Sequence, residues 1–206
     1  MSDSGVRAIL NLPTKRNKMN NNPKYNPNIH HRRSIRLKGY DYSQAGLYFI
    51  TICIQDRKHL FGNVVNAEMI LNDAGKIAND CWLDIPNYFP NANLHEHIIM
   101  PNHLHGIIEL TNDVNVVVVG AENFLPLQQQ QQQNSFQKMI PRSIGSIVKG
   151  FKIGVTKWFR QNTHVETVWQ RNYHEHIIRD EKSYETISNY IINNPAKWTG
   201  DKFFTK

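Results

Sequence analysis

The sequence predicts an α+β domain in which helices pack on an antiparallel or mixed sheet. Apolar runs typical of strands alternate with segments of helical spacing, in the order strand, helix, strands, helix, strand, helix. The length of 206 residues and an apolar fraction of 40% suit one domain with one hydrophobic core.

The first half of the chain supplies the first strand, a helix and a pair of strands. The β-branched and aromatic run LYFITICIQ, residues 47–55, predicts a central strand. NDAGKIANDCWLDI, residues 72–85, has helical spacing, and Asn72 is a suitable N-cap. LHEHIIM and HGIIEL predict one or two further strands, with a bend at Pro101 and Asn102.

The second half supplies two helices and an extended segment between them. SIGSIVKGFKIGVTKWFRQ, residues 143–161, repeats apolar residues at helical spacing, and Ser143 can cap it. VETVWQRNYHEHIIR, residues 165–179, is predicted to be extended. DEKSYETISNYIINNP, residues 180–195, opens on acids that suit the positive end of a helix and stops at Pro195.

Two segments lack hydrophobic periodicity. Residues 1–31 are rich in Asn, Pro, Lys and Arg and are predicted to form a disordered basic arm. A low-complexity insertion at about 112–140 contains six consecutive glutamines, and its valine run is either an extra strand or a loop. These segments divide the chain into the arm, one interrupted domain at 32–200 and a short tail at 201–206.

The positive charge of the protein is concentrated at its start. The first forty residues hold nine Lys or Arg and one acid, a charge of +8, whereas the whole chain carries +7. Such a segment attracts polyanions through phosphate contacts, or it is a solvated tail that aids solubility. No segment approaches the ~20 apolar residues of a membrane span and no signal peptide is evident, so we expect a soluble, cytoplasmic protein without a membrane partner.

The stretch MPNHLHGIIEL, residues 100–110, places two histidines one residue apart on a predicted strand. Residues i and i+2 of a strand share a face, so His103 and His105 present two imidazoles side by side. They are either polar residues on one face of a sheet or two ligands of a divalent metal. The same spacing at His95 and His97 shows that it also occurs incidentally. Gly106 leaves room for a backbone or a ligand to come close.

The last predicted helix holds a tyrosine and an amide on one face. Tyr190 and Asn194 are four residues apart, which brings both side chains to the same side of the helix. Tyr190 is either a half-buried tyrosine whose hydroxyl meets water or a nucleophile assisted by a metal at His103 and His105. The amide oxygen of Asn194 could reach the same ion.

Two parts of the sequence resemble the single-tyrosine HUH transposases, especially the REP-associated tyrosine transposase branch. The resemblance rests on IMPNHLHGII, whose His-Leu-His is the HUH motif, and on SYETISNYIINNPAKW. RRSIRLKGYDYSQAGLYFITICIQDRKHLFG and WQRNYHEHIIR resemble the start of the catalytic domain and the segment before its tyrosine helix. The match covers roughly residues 32–110 and 142–198. Many relatives have Gln where this chain has Asn194.

The resemblance implies a ferredoxin-like (RRM-like) fold of HUH endonuclease architecture and a metal-dependent transposase that cuts single-stranded DNA. It implies Mg²⁺ or Mn²⁺ held by His103, His105 and Asn194, and a 5′-phosphotyrosine formed on Tyr190. The partner would be single-stranded DNA with hairpins formed by REP-like palindromes, bound by a monomer or homodimer associated with the nucleoid.

Basic residues are expected to contact that DNA, and two other functions compete with the transposase. The DNA-binding candidates lie at the end of the basic segment and on the predicted helix 143–161: Arg32, Arg33, Arg36, Lys38, Lys149 and Lys152. One alternative is an RRM-like DNA-binding module that has lost catalysis. The other is a metal-dependent phosphodiesterase that uses water as its nucleophile.

Overall fold

The computed structural model describes residues 40–112 and 140–204 of the chain. Six strands occur in this part: β1 (Gly46–Cys53), β2 (Gly62–Val65), β3 (Glu68–Leu71), β4 (Ala92–Met100), β5 (His103–Leu110) and β6 (His174–Ile178). The α-helices are α1 (Asp73–Leu83), α2 (Ile85–Tyr88), α3 (Ile144–Asn162) and α4 (Glu181–Ile192). Short 3₁₀ turns occupy Gln55–Arg57 and Pro195–Gly200.

Four of the strands form an antiparallel sheet in the order β4-β5-β1-β6. The central pair, β1 and β5, sets Thr51 opposite His105 and Cys53 opposite His103. Strands β4 and β5 form a hairpin across the two residues Pro101 and Asn102, as the bend in the sequence predicted. The predicted α+β fold with an antiparallel sheet and packed helices is confirmed.

The side chains of a strand alternate between the two faces of the sheet, and helices cover both faces. On one face, a core forms between the sheet and helices α1 and α3, and its strand residues include Tyr48, Ile50, Ile52, Leu104 and Ile108. On the other face, helix α4 packs Ile191 against Ile107 and Ile178. His103 and His105 alternate with Leu104, so both lie on the face that α4 covers.

Three helices begin at capping side chains, two of which, Asn72 and Ser143, were predicted from the sequence. Asn72 Oδ1 accepts a hydrogen bond from the backbone N–H of Gly75 at 2.9 Å. Ser143 Oγ accepts from the N–H of Ser146 at 3.3 Å, and Asp180 Oδ1 accepts from that of Ser183 at 2.8 Å. Each cap satisfies a donor that the first turn of a helix leaves unpaired.

The sequence did not indicate the small hairpin of β2 and β3. The two strands have four residues each and turn at Asn66 and Ala67, both with positive φ. Asn is tolerated in this left-handed conformation, whereas Ala is not favoured there. The sequence has Asn-Ala at this turn and not the Asn-Gly pair by which such turns are recognised, so the hairpin could not be predicted.

The space left by Gly106 is filled by a side chain and not by a ligand. A Cβ at this position would lie 2.3 Å from a ring carbon of Trp82, which is fully buried. The expectation that Gly106 admits a ligand is therefore wrong, because the indole of α1 already occupies that side of β5.

Several predictions fall outside the described residues. These are the basic arm at 1–31, the DNA-binding candidates Arg32, Arg33, Arg36 and Lys38, and the glutamine-rich insertion with its valine run. Within the ranges 40–112 and 140–204, no helix is both long and apolar enough to cross a bilayer.

Candidate active site

The structure brings together the histidine pair of β5 and the tyrosine and amide at the end of α4. The rings of His103 and His105 have their centroids 4.5 Å apart. Tyr190 Oη lies 3.1 Å from His105 Nε2. His103, His105 and Asn194 are 0%, 1% and 1% exposed, so all three polar side chains are buried. Polar groups buried together without solvent are costly unless they are paired or hold a ligand.

The hydrogen bonds around His103 fix which ring nitrogen carries the proton. Asn102 Nδ2 donates to the carbonyl oxygens of Phe203 at 2.8 Å and Arg57 at 3.2 Å. Asn102 Oδ1 therefore faces His103 Nδ1, at 2.9 Å, and that nitrogen must donate. His103 Nε2 is left as a bare lone pair, buried and without a hydrogen-bond partner among the described residues.

His105 is held from both sides. Its Nδ1 lies 2.8 Å from Thr51 Oγ1 on the neighbouring strand, and its Nε2 faces Tyr190. A hydroxyl both donates and accepts, so Thr51 supports either tautomer of the ring. Phe49 stacks on the imidazole with centroids 5.3 Å apart. Burial lowers the pKa of His103 to about 4 and that of His105 well below its usual range, so both rings are neutral and able to act as ligands.

Asn194 follows helix α4 and keeps helical backbone angles, which preserves its four-residue relation to Tyr190. Its Nδ2 donates to Asp201 Oδ2 at 3.2 Å. Its Oδ1 is buried, and the described residues offer it no hydrogen-bond partner. Asn194 Oδ1 is thus the second unpaired buried atom of the cluster, beside His103 Nε2.

The donor atoms of His103, His105 and Asn194 are of types that suit a divalent cation. Imidazole nitrogens and an amide oxygen are donor types that such ions accept, and the orientation of His103 by Asn102 is the usual support for a ligating histidine. No group of three His, Cys, Asp or Glu side chains in residues 40–112 and 140–204 is arranged to hold a metal. A cation at this site would therefore depend on the amide of Asn194 as well as on the two histidines.

The segment that follows the last 3₁₀ turn covers the site, and sequence reasoning assigned it no role. Asp201 Oδ2 accepts from Tyr190 Oη at 3.2 Å, and Asp201 Oδ1 accepts from the N–H of Phe203 at 2.7 Å. The ring of Phe203 lies over His103, with centroids 4.5 Å apart. Arg57 Nη1 donates to the carbonyl of Lys202 at 2.7 Å. Only the apolar pair Phe203-Phe204 in the sequence indicates that this segment is packed.

Tyr190 is a neutral phenol in this arrangement. Burial and the neighbouring carboxylate of Asp201 raise the pKa of Tyr190 to about 12. Its hydroxyl lies between that carboxylate and His105 Nε2, and its ring packs edge-on against Phe49. Attack by this oxygen on an electrophile would therefore need a group that favours loss of its proton.

A second tyrosine of α4, Tyr184, makes contacts that dock the helix on the sheet. Tyr184 Oη donates to Glu96 Oε2 at 3.0 Å, and Ser188 Oγ donates to the same oxygen at 3.1 Å. Tyr184 Oη also lies 3.1 Å from His95 Nδ1. His95 and Tyr184 therefore belong to a network on β4 that fixes the position of α4.

The two lysines predicted to bind DNA have different surroundings. Lys149 is exposed, whereas Lys152 Nζ donates to the carbonyls of Gln170 at 2.9 Å and Asn172 at 3.0 Å. Burial lowers the pKa of Lys152 to about 8. Lys152 thus ties α3 to the segment before β6, and Lys149 is the one with a free path to a phosphate.

Helix α3 lines a basic groove of about 1140 Å³. Five cationic side chains contribute to it: Lys149, Lys152, Lys157, Arg160 and Arg171. Three tyrosines, Tyr40, Tyr42 and Tyr173, also line it, and none of its described lining residues is acidic. We refer to this surface as the α3 groove. Its charge suits a polyanion, and its aromatic rings suit bases or sugars.

Two proteins of Haemophilus influenzae are similar in sequence to this chain. One, an "Uncharacterized protein", is 53% identical over 181 residues, which cover 88% of this chain and 97% of that protein. The other, "Putative REP-associated tyrosine transposase", is 27% identical over 158 residues, which cover 76% of this chain and 74% of that protein. No family model matches the sequence.

A solved structure shares the fold. The structure of a REP-associated tyrosine transposase bound to a REP hairpin aligns with a TM-score of 0.54 and 18% identity, over 83% of this chain and 77% of that one. This likeness agrees with the antiparallel sheet and packed helices described above. Because the first relative is 53% identical over nearly its whole length, the chain belongs to the same protein family as that Haemophilus influenzae protein.

Proposed function

We propose that the protein is a transposase that cuts and rejoins single-stranded DNA at hairpins through a covalent bond to Tyr190. The observation that carries this proposal is that Tyr190 Oη lies 3.1 Å from His105 Nε2, in a cluster that also holds two buried atoms without partners among the described residues, His103 Nε2 and Asn194 Oδ1. The sequence likeness to a protein named as a tyrosine transposase supports the same reaction class.

His103, His105 and Asn194 would hold the cation, Mg²⁺ or Mn²⁺, in this proposal. When bound, such an ion polarises the scissile phosphate and offsets charge that develops on its oxygens. Asn102 and Thr51 keep the two imidazoles turned toward the site.

Tyr190 would supply the nucleophile. Its Oη forms a bond to phosphorus while the bond from phosphorus to the 3′ oxygen breaks. The phenol gives up its proton and the departing 3′ oxygen takes one up, so the products are a 5′-phosphotyrosine and a 3′-hydroxyl. The reverse of this step with another 3′-hydroxyl rejoins DNA, because the phosphodiester energy is retained in the tyrosyl bond.

The DNA partner would also contact the α3 groove. Lys149, Lys157 and Arg160 are exposed along α3, on the opposite side of the sheet from Tyr190. A hairpin stem in this groove would present phosphates to these cations, and the basic arm could add further contacts. The structural neighbour that is bound to a REP hairpin makes a hairpin the substrate of choice for tests.

A phosphate reaches the imidazoles only if the covering segment rearranges. Asp201 ends the 3₁₀ turn, whereas Phe203 lies beyond it and stacks on His103. In this proposal the side chain of Phe203, which lies on His103, moves aside when DNA binds.

The test is covalent trapping with Tyr190→Phe and a matched control, Tyr184→Phe. The full-length protein is incubated with Mn²⁺ and single-stranded hairpins from its own genomic flanks, and adducts are separated on a denaturing gel. We expect the wild type and Tyr184→Phe to form a protein–DNA adduct and Tyr190→Phe to form none, while hairpin binding is retained.

The same gel separates the alternatives. Free cleaved DNA without an adduct would indicate a phosphodiesterase that uses water, and binding without cleavage would indicate a DNA-binding module. A nucleotide found by mass spectrometry on a peptide that contains Tyr173 or Tyr184, and not Tyr190, would refute the choice of nucleophile.

A further inference from the structure

The carboxylate of Asp201 contacts two members of the candidate site and lies outside every motif in the sequence. It accepts hydrogen bonds from Asn194 Nδ2 and from Tyr190 Oη, both at 3.2 Å and both to the same oxygen. Its other oxygen accepts the N–H of Phe203 at 2.7 Å, which helps to hold the carboxylate in place.

A carboxylate determines the orientation of an amide beside it. The two ends of an Asn side chain have nearly the same shape, so the partners decide which end points where. The carboxylate oxygens of Asp201 accept hydrogen bonds, and Asp201 therefore selects the NH₂ end of Asn194. The Oδ1 end must then point away from Asp201, and it is this atom that is buried without a partner among the described residues.

We propose that Asp201 is a positioning residue that turns the amide oxygen of Asn194 toward the cation and holds the hydroxyl of Tyr190 beside it. The inference rests on the proposed function, because it concerns the cation site proposed there. Without the carboxylate, the amide is free to flip and to offer its NH₂ end, which no cation accepts.

The variant Asp201→Asn tests this orientation at almost constant size. The N–H of Phe203 favours the oxygen end of the substituted amide, so the NH₂ end of that amide faces Asn194 and selects the wrong end of the Asn194 side chain. We expect Mn²⁺ to bind the DNA-free full-length variant about 10-fold or more weakly, the range known for residues that orient metal ligands. Asp80→Asn, the same charge change at an exposed position of α1, should bind Mn²⁺ as the wild type does.

A double-mutant cycle with Asn194→Ala separates orientation from charge. Mn²⁺ affinity is measured by isothermal titration for the wild type, Asp201→Asn, Asn194→Ala and the double variant. If Asp201 acts through the amide, its substitution costs less than about twofold once Asn194 is Ala, because interacting residues are not additive. If Asp201→Asn weakens Mn²⁺ binding as much in the Asn194→Ala variant as in the wild type, Asp201 acts by its charge or as a direct ligand. That result would overturn the proposal.

Folding and the reaction are measured separately from Mn²⁺ affinity. Circular dichroism shows whether each variant is folded. The conservative variant Asp201→Glu keeps a carboxylate that accepts hydrogen bonds, and it should bind Mn²⁺ more tightly than Asp201→Asn. Equal affinity of wild type and Asp201→Asn, or faster adduct formation by Asp201→Asn, would refute a positioning role. A wild type that binds Mn²⁺ with the predicted coupling but forms no adduct would refute the proposed reaction and leave the positioning role supported.

Discussion

The replacement Gly106→Ala tests how closely the strand that carries the histidines is packed. A Cβ at Gly106 would lie 2.3 Å from one ring carbon of Trp82 and 2.9 Å from a second. Trp82 is fully buried, and its ring also meets Phe151 of α3 at a centroid distance of 5.6 Å. The indole therefore cannot move without displacing its neighbours, so β5 or α1 must shift.

Overpacking of this kind costs about 1–3 kcal/mol of the free energy of unfolding. For a chain of this size, each kcal/mol lowers Tm by roughly 2–4 °C, so we expect a decrease of about 2–12 °C. The assay is thermal unfolding followed by circular dichroism. The matched control is Gly145→Ala in the first turn of α3, where the nearest atom would be 3.6 Å away. A Gly106→Ala variant whose Tm shifts no more than that of the control would refute the packing argument.

Three further predictions concern the cation site, a buried lysine and the basic arm. His103→Ala should abolish adduct formation while hairpin binding persists in a gel-shift assay, whereas His95→Ala should be much milder; the opposite result would mean that the wrong pair was chosen. The pKa of Lys152 is lowered to about 8 from its ordinary 10.5, so between these two pH values Lys152 is deprotonated in the folded chain and protonated in the unfolded chain. The free energy of unfolding of the wild type, measured by urea titration, should therefore rise with pH in this range relative to that of Lys152→Met. The same pH dependence in both proteins would contradict the prediction. Deleting residues 1–31 removes five Lys or Arg and one acid, so affinity for single-stranded DNA should fall and its salt slope should flatten by roughly 0.7 per lost phosphate contact; an unchanged slope would mean that the arm only aids solubility.

The strong periodic patterns were enough to predict an α+β domain in which three helices pack on an antiparallel or mixed sheet, whereas the four-stranded order came from the structure. Their apolar spacing was regular, and Ser143 and Asn72 mark helix starts by chemistry that acts within one turn. The β2–β3 hairpin was missed because strands of four residues joined through Asn66 and Ala67 carry no comparable local signal. Gly106 was misread because its partner, Trp82, comes from a distant helix.

The sequence by itself determined that His103 and His105 share one face of a strand, and that Tyr190 and Asn194 share one side of a helix. Both relations follow from the local geometry of a strand and a helix. Only the tertiary structure decided that the two pairs meet, and that Asn102, Thr51 and Asp201 orient them. Those contacts depend on strand register, on the docking of α4 and on the packing of residues 201–204 near β5. Such long-range choices are made by packing of the whole core, and no short pattern in the sequence encodes them.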